Sequence, residues 1–75
     1  MMNFDLFDVV VLAADLPDKG LLAGMSGTVV DIHTKPCEAY EVEFCDDAGR
    51  TVAVLALLPN QLLPTASWKS KKYEV

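Results

Sequence analysis

The sequence predicts an all-β domain: a small five-stranded SH3-like barrel with a short 3₁₀ turn before its last strand and a basic C-terminal tail. Three observations predict it. The apolar runs are short and rich in valine, turn residues separate them at close spacing, and residues 39–45, AYEVEFC, alternate between apolar and acidic side chains. Short β-branched runs bounded by Gly, Pro, Asn and Asp read as strands, and several in close succession signal a small barrel or sandwich. Helical readings fare worse, because the β-branched valine is frequent in the runs.

Each element follows in order. DVVVLAADL at residues 8–16 is the first strand. PDKG at 17–20 is a turn, with Pro17 presetting φ and Gly20 free to take positive φ, and an irregular loop continues through Gly24. MSGTVVDIH at 25–33 is the second strand, and TKPCE at 34–38 turns the chain. In the third strand Tyr40, Val42 and Phe44 alternate with Glu41 and Glu43, so one face is buried and the other wet. DDAGR at 46–50 makes a hairpin loop, TVAVLALL at 51–58 the fourth strand, PNQ at 59–61 the 3₁₀ turn and LLP at 62–64 the closing strand.

The segments DVVVLAADLPDKGLLAGMSGTVVDI, YEVEF, AGRTVAVLAL and NQLLP resemble, in that order, a bacterial domain-of-unknown-function family, number 4926, over roughly residues 4–64. The resemblance implies a small SH3-like barrel and no particular chemistry. The Gly–Thr–Val–Val segment at 27–30 also resembles the KOW-type motif of ribosomal and transcription-factor barrels over about a dozen residues. The basic residues that such domains place on RNA are missing from the barrel here.

Composition bounds the function. The chain has 75 residues, of which 52% are hydrophobic, enough for one domain (residues 1–66, followed by a tail at 67–75) and too apolar for a disordered chain. Residues 1–66 carry ten acids against three bases, a net of −7, while SWKSKKYEV at 67–75 carries three lysines and Glu74, a net of +2. Nucleic-acid binding needs clustered Lys and Arg, so nucleic acid is not the expected partner of the barrel; a cationic or polar protein fits its field. No apolar run approaches the roughly 20 residues of a membrane span. Asp5 and Asp8 stand where a signal peptide needs positive charge, so a cytoplasmic protein is expected.

Candidate sites divide as follows. A phosphate loop at Gly24 and Gly27 would need a Lys-Ser/Thr pair and a helix after it; Thr28, Val29 and Val30 follow instead, so the glycines serve a loop–strand junction. His33, Cys37, Cys45 and Asp46 lack the spacing of a structural zinc site, and Cys37 has no evident base, so no metal, cofactor or catalytic residue is expected. Cys37 and Cys45 lie roughly 26 Å apart if extended, at about 3.3 Å per residue, and read as free thiols. Glu41, Glu43, Asp46 and Asp47 form an acidic patch, read either as a solvated face or as partner recognition. The fourth strand is apolar on both faces: Ala53, Leu55 and Leu57 fill the core while Val52, Val54 and Ala56 point outward. Such a face is either an interface, to another protein or to a second copy, or is covered by the N-terminal segment (Phe4, Leu6, Phe7) or by the tail (Trp68, Tyr73). The tail itself is a solvated terminus or an anchor on an acidic surface. These readings converge on a non-enzymatic protein-binding module of antitoxin or immunity type, contacting its partner through Glu41, Glu43, Val52 and Val54, with Trp68 as a further hot spot. A KOW-like nucleic-acid-associated barrel and a self-associating structural subunit are the alternatives.

Overall fold

The structure, a computed structural model, describes residues 4–65. Five strands form one antiparallel sheet: β1 (Val9–Leu12), β2 (Ser26–His33), β3 (Ala39–Cys45), β4 (Thr51–Leu57) and β5 (Leu62–Pro64). A 3₁₀ turn over Pro17–Lys19 follows β1, and another over Pro59–Gln61 precedes β5, where the sequence places it. The spatial order is β4-β3-β2-β1-β5, so β4 and β5 are the edges, and no ladder joins them among the described residues.

Registry explains which side chains go inside. Val42 sits opposite both Val29 and Leu55, and Phe44 opposite both Gly27 and Ala53. Tyr40, Val42 and Phe44 are therefore buried, as the alternation of β3 requires, and Phe4, Val10, Leu12, Leu21, Val29, Leu57 and Leu62 complete the core. Each such burial stabilises by roughly 1.5–3 kcal/mol relative to exposure. Two register shifts interrupt the ladders, one at Val30 in β2 and one at Val52 in β4. Each inserts one extra residue and increases the local twist.

β1 is shorter than its apolar run. The main chain leaves the ladder after Leu12, where the Ala13 amide donates to the Gln61 carbonyl (2.8 Å) and Leu16 folds back to pair with Leu21 across the PDKG turn. Gly20 closes that turn at φ 71°. Gly27 is needed for space: a Cβ there would lie 2.6 Å from Val42 Cγ1 and 2.9 Å from the Glu43 carbonyl oxygen. The Gly24–Gly27 segment thus leads directly into β2, as a loop–strand junction does.

The N-terminal residues carry a backbone feature that the sequence does not announce. The Asp8 amide donates to the Asp5 carbonyl (3.0 Å), closing a β-turn whose third residue, Phe7, has φ 70°. Phe7 also donates its amide to the Val29 carbonyl (2.7 Å), while the Val29 amide donates to the Asp8 carbonyl (2.9 Å). This is a type II turn running into a bulge of the kind that normally holds glycine at the positive-φ position.

Candidate interaction surface

The solvent-facing side of the sheet is built by the residues that alternate with the core. Cross-strand partners align Val9, Thr28, Glu43 and Val54 in one row, and Asp31, Glu41 and Ala56 in the next. Val9 and Val54 are about half exposed, at 54% and 48%, and so is Val52 at 49%. The carboxylates between them are held in place. Glu43 accepts a hydrogen bond from Thr51 Oγ1, and Glu41 Oε1 lies 2.9 Å from His33 Nε2. That hydrogen bond raises the His33 pKa above the usual imidazole value, burial opposes it, and the nearby Asp31 and Glu41 charges add to the rise.

The β3–β4 hairpin borders this face. Asp46 accepts from the Ala48 and Arg50 amides (both 2.9 Å) and from Arg50 Nε (3.1 Å), which fixes the loop through Gly49 at φ 83°. Between hairpin and sheet lies an open depression of about 310 Å³, lined by Val9, Ser26, Gly27, Thr28, Glu43, Cys45, Asp46 and Asp47. Its rim is acidic. Among the described residues no three His, Cys, Asp or Glu side chains converge as metal ligands, and Cys37 and Cys45 are both exposed free thiols.

The site residues named from the sequence fall as follows. Glu41, Glu43 and Val54 share the outer face, and Val52 sits beside them at the β4 bulge. Trp68 lies outside the described residues. Of the two segments named as alternative cover for this face, the tail with Tyr73 also lies outside the described residues, and the N-terminal one leaves Val52 and Val54 half exposed. Phe4 turns to the opposite side and enters the core, with its ring 5.4 Å from that of Tyr40 in an edge-to-face arrangement. Its amide donates to the Tyr40 hydroxyl (3.3 Å), which donates in turn to Glu38 Oε2 (3.0 Å). Leu6 and Phe7 stay in solvent, Phe7 at 70% exposure. Sequence reasoning missed Phe7 and Val9 as surface residues. Parity does not separate Val9 from Val11, which is buried, and nothing in the residue type of Phe7 signals a left-handed backbone.

A small all-β domain with one apolar–acidic sheet face is the class that this geometry defines. The chain belongs to the family described as Domain of unknown function (DUF4926), which matches residues 6–64. No curated protein and no solved structure matches it.

Proposed function

We infer that this chain is a non-enzymatic binding module whose outer sheet face docks on another protein carrying cationic side chains around an apolar centre. The observation that supports this reading is the row Val9–Thr28–Glu43–Val54, which holds half-exposed valines on either side of a fixed carboxylate. An apolar centre surrounded by polar groups is the usual anatomy of a recognition surface. Glu41 and Glu43 would supply charge complementarity and Val52 and Val54 the desolvated contact, with Phe7 and Val9 extending it toward the N-terminus. A positive φ on an exposed aromatic is a strained arrangement, and such strain is concentrated at functional positions.

The net −7 of residues 1–66 would steer a basic partner toward this face. Neutralising a cationic protein, as antitoxins and immunity proteins do, suits this charge and size, and the role rests on those two properties alone. The test is capture from host lysate with tagged full-length chain, run beside Val52→Glu/Val54→Glu and Glu41→Gln/Glu43→Gln. The reading expects one stoichiometric protein, lost with the first pair and made weaker and less salt-dependent by the second. Nucleic acid released by nuclease or by salt would favour the KOW-like alternative carried by Lys69, Lys71 and Lys72 instead.

A further inference from the structure

We propose that the edge of β4, unpaired among the described residues, pairs antiparallel with β4 of a second copy, joining two five-stranded sheets into one of ten strands. The two edges of this sheet are treated very differently. β5 has three residues and ends in Pro64, so little of it can accept a neighbour. β4 has seven residues, with no proline and no charged side chain from Thr51 to Leu58. A strand of this length at an edge presents a row of backbone donors and acceptors that no described strand pairs; the bulge at Val52 twists its first residues, and from Ala53 to Leu57 no proline or charge guards it.

Charge selects the occupant. Residues 1–66 carry a net of −7, so most approaches of one copy to another bring like charges together. Along β4 they do not, and self-pairing there meets no carboxylate on the strand. A charge-free strand equally offers no charge code by which a different partner strand could be selected.

Parity and the bulge then fix the register. Residues directly opposite in a ladder point to the same face, so a twofold pairing must be centred on a residue; a one-residue slip would place one copy's core side chains in solvent. The bulge at Val52 leaves Ala53–Leu57 as the regular run, whose centre is Leu55. Pairing about Leu55 sets Leu55 against its copy and Ala53 against Leu57 on the core side. On the outer side it sets Val54 against Ala56, and exposed Val52 against exposed Leu58. The edge pairing leaves the carboxylates of the outer face free and doubles that face, so it does not depend on the binding role proposed above.

The experiment is sedimentation velocity on the full chain from micromolar to millimolar concentration, with amide hydrogen exchange by NMR at both ends of that range. The expected result is a doubling of mass with concentration. Protection of the alternate β4 amides that face the edge should rise at least tenfold in parallel. Val54→Lys/Ala56→Lys should remain folded, because the new lysines face Glu43 and Glu41 on β3, and should stay monomeric, because lysines of the two copies would then oppose each other. Glu41→Gln/Glu43→Gln, which disturbs the binding face and not the edge, should leave the association in place. A chain that is monomeric throughout overturns the proposal. So does a dimer whose β4 edge amides exchange as in the monomer, or concentration-independent protection of those amides, which would mean that the edge is covered from within the same chain.

Discussion

Replacing Phe7 tests the backbone at the entrance to β1. A left-handed conformation costs a residue with a side chain about 1–2 kcal/mol, and glycine escapes that cost. Phe7→Gly therefore recovers about 1–2 kcal/mol in the folded state. Two losses oppose the gain. Glycine makes the unfolded chain freer by about 0.4–1 kcal/mol. Phe7 is 70% exposed, so about three-tenths of a phenylalanine's burial is lost, on the order of 0.5–0.9 kcal/mol. The sum is close to zero: an aromatic is deleted with almost no change in stability. Phe7→Ala suffers the same loss of burial, keeps the left-handed cost and is destabilised.

The comparison of interest is accordingly glycine against alanine at position 7. In ordinary strand or helix positions alanine is the more stable of the two; here glycine should lead by about 1 kcal/mol, or about 4–8 °C in Tm for a domain of this size. Urea and thermal unfolding of the two variants, followed by far-UV circular dichroism, measure the difference. An alanine variant as stable as the glycine variant would refute the reasoning, because Phe7 would then not hold positive φ in solution.

Gly27→Ala should destabilise by about 1–3 kcal/mol in the same unfolding assay, since its Cβ would press on Val42 and on the Glu43 main chain. Tyr40→Phe should lose about 1 kcal/mol, because the buried Phe4 amide loses its acceptor and Glu38 a donor. His33 should titrate above the usual 6.5 in a proton NMR series, and Glu41→Gln should bring it back toward that value. As its folded pKa is raised, the His33–Glu41 contribution to stability is complete below about pH 6.5 and disappears as pH rises through the folded-state pKa; unfolding midpoints compared on either side of that window should differ less in Glu41→Gln.

Most of the fold was legible because the core writes itself into the sequence with a period of two. Tyr40, Val42 and Phe44 gave β3 its limits to the residue, and the flanking Asp46–Arg50 and Pro59–Gln61 segments marked the ends of β4. β1 was overextended because Ala13, Ala14 and Leu16 remain apolar after the ladder ends; after the Ala13–Gln61 main-chain bond the partner strand gives way to the 3₁₀ turn at Pro59–Gln61, far along the chain. Phe4 was misplaced for a similar reason. A phenylalanine near a terminus can pack on either side of a sheet, and the Tyr40 ring and hydroxyl that select the inner side lie 36 positions away. The outward valines of β4 were legible by alternation with Ala53, Leu55 and Leu57, but their use was not, because partners leave no periodic mark.

What gives the outer face its meaning is the contrast between two adjacent strands. β3 places Glu41 and Glu43 outward, and directly opposite them β4 places Ala56 and Val54. Both pairs share one sheet surface, so if solvation alone had set these positions, both strands would carry polar residues there. Solubility explains the glutamates and leaves the valines without a cause; a hydrophobic core explains neither, since Ala53, Leu55 and Leu57 already supply the inward side of β4. In the binding role proposed above, contact with a second surface would account for both together, with the acids orienting the approach and the valines losing water when it arrives. The β4 edge beside them is the longer of the two uncharged edges among the described residues, and its pairing with a second copy, as proposed above, would extend that surface.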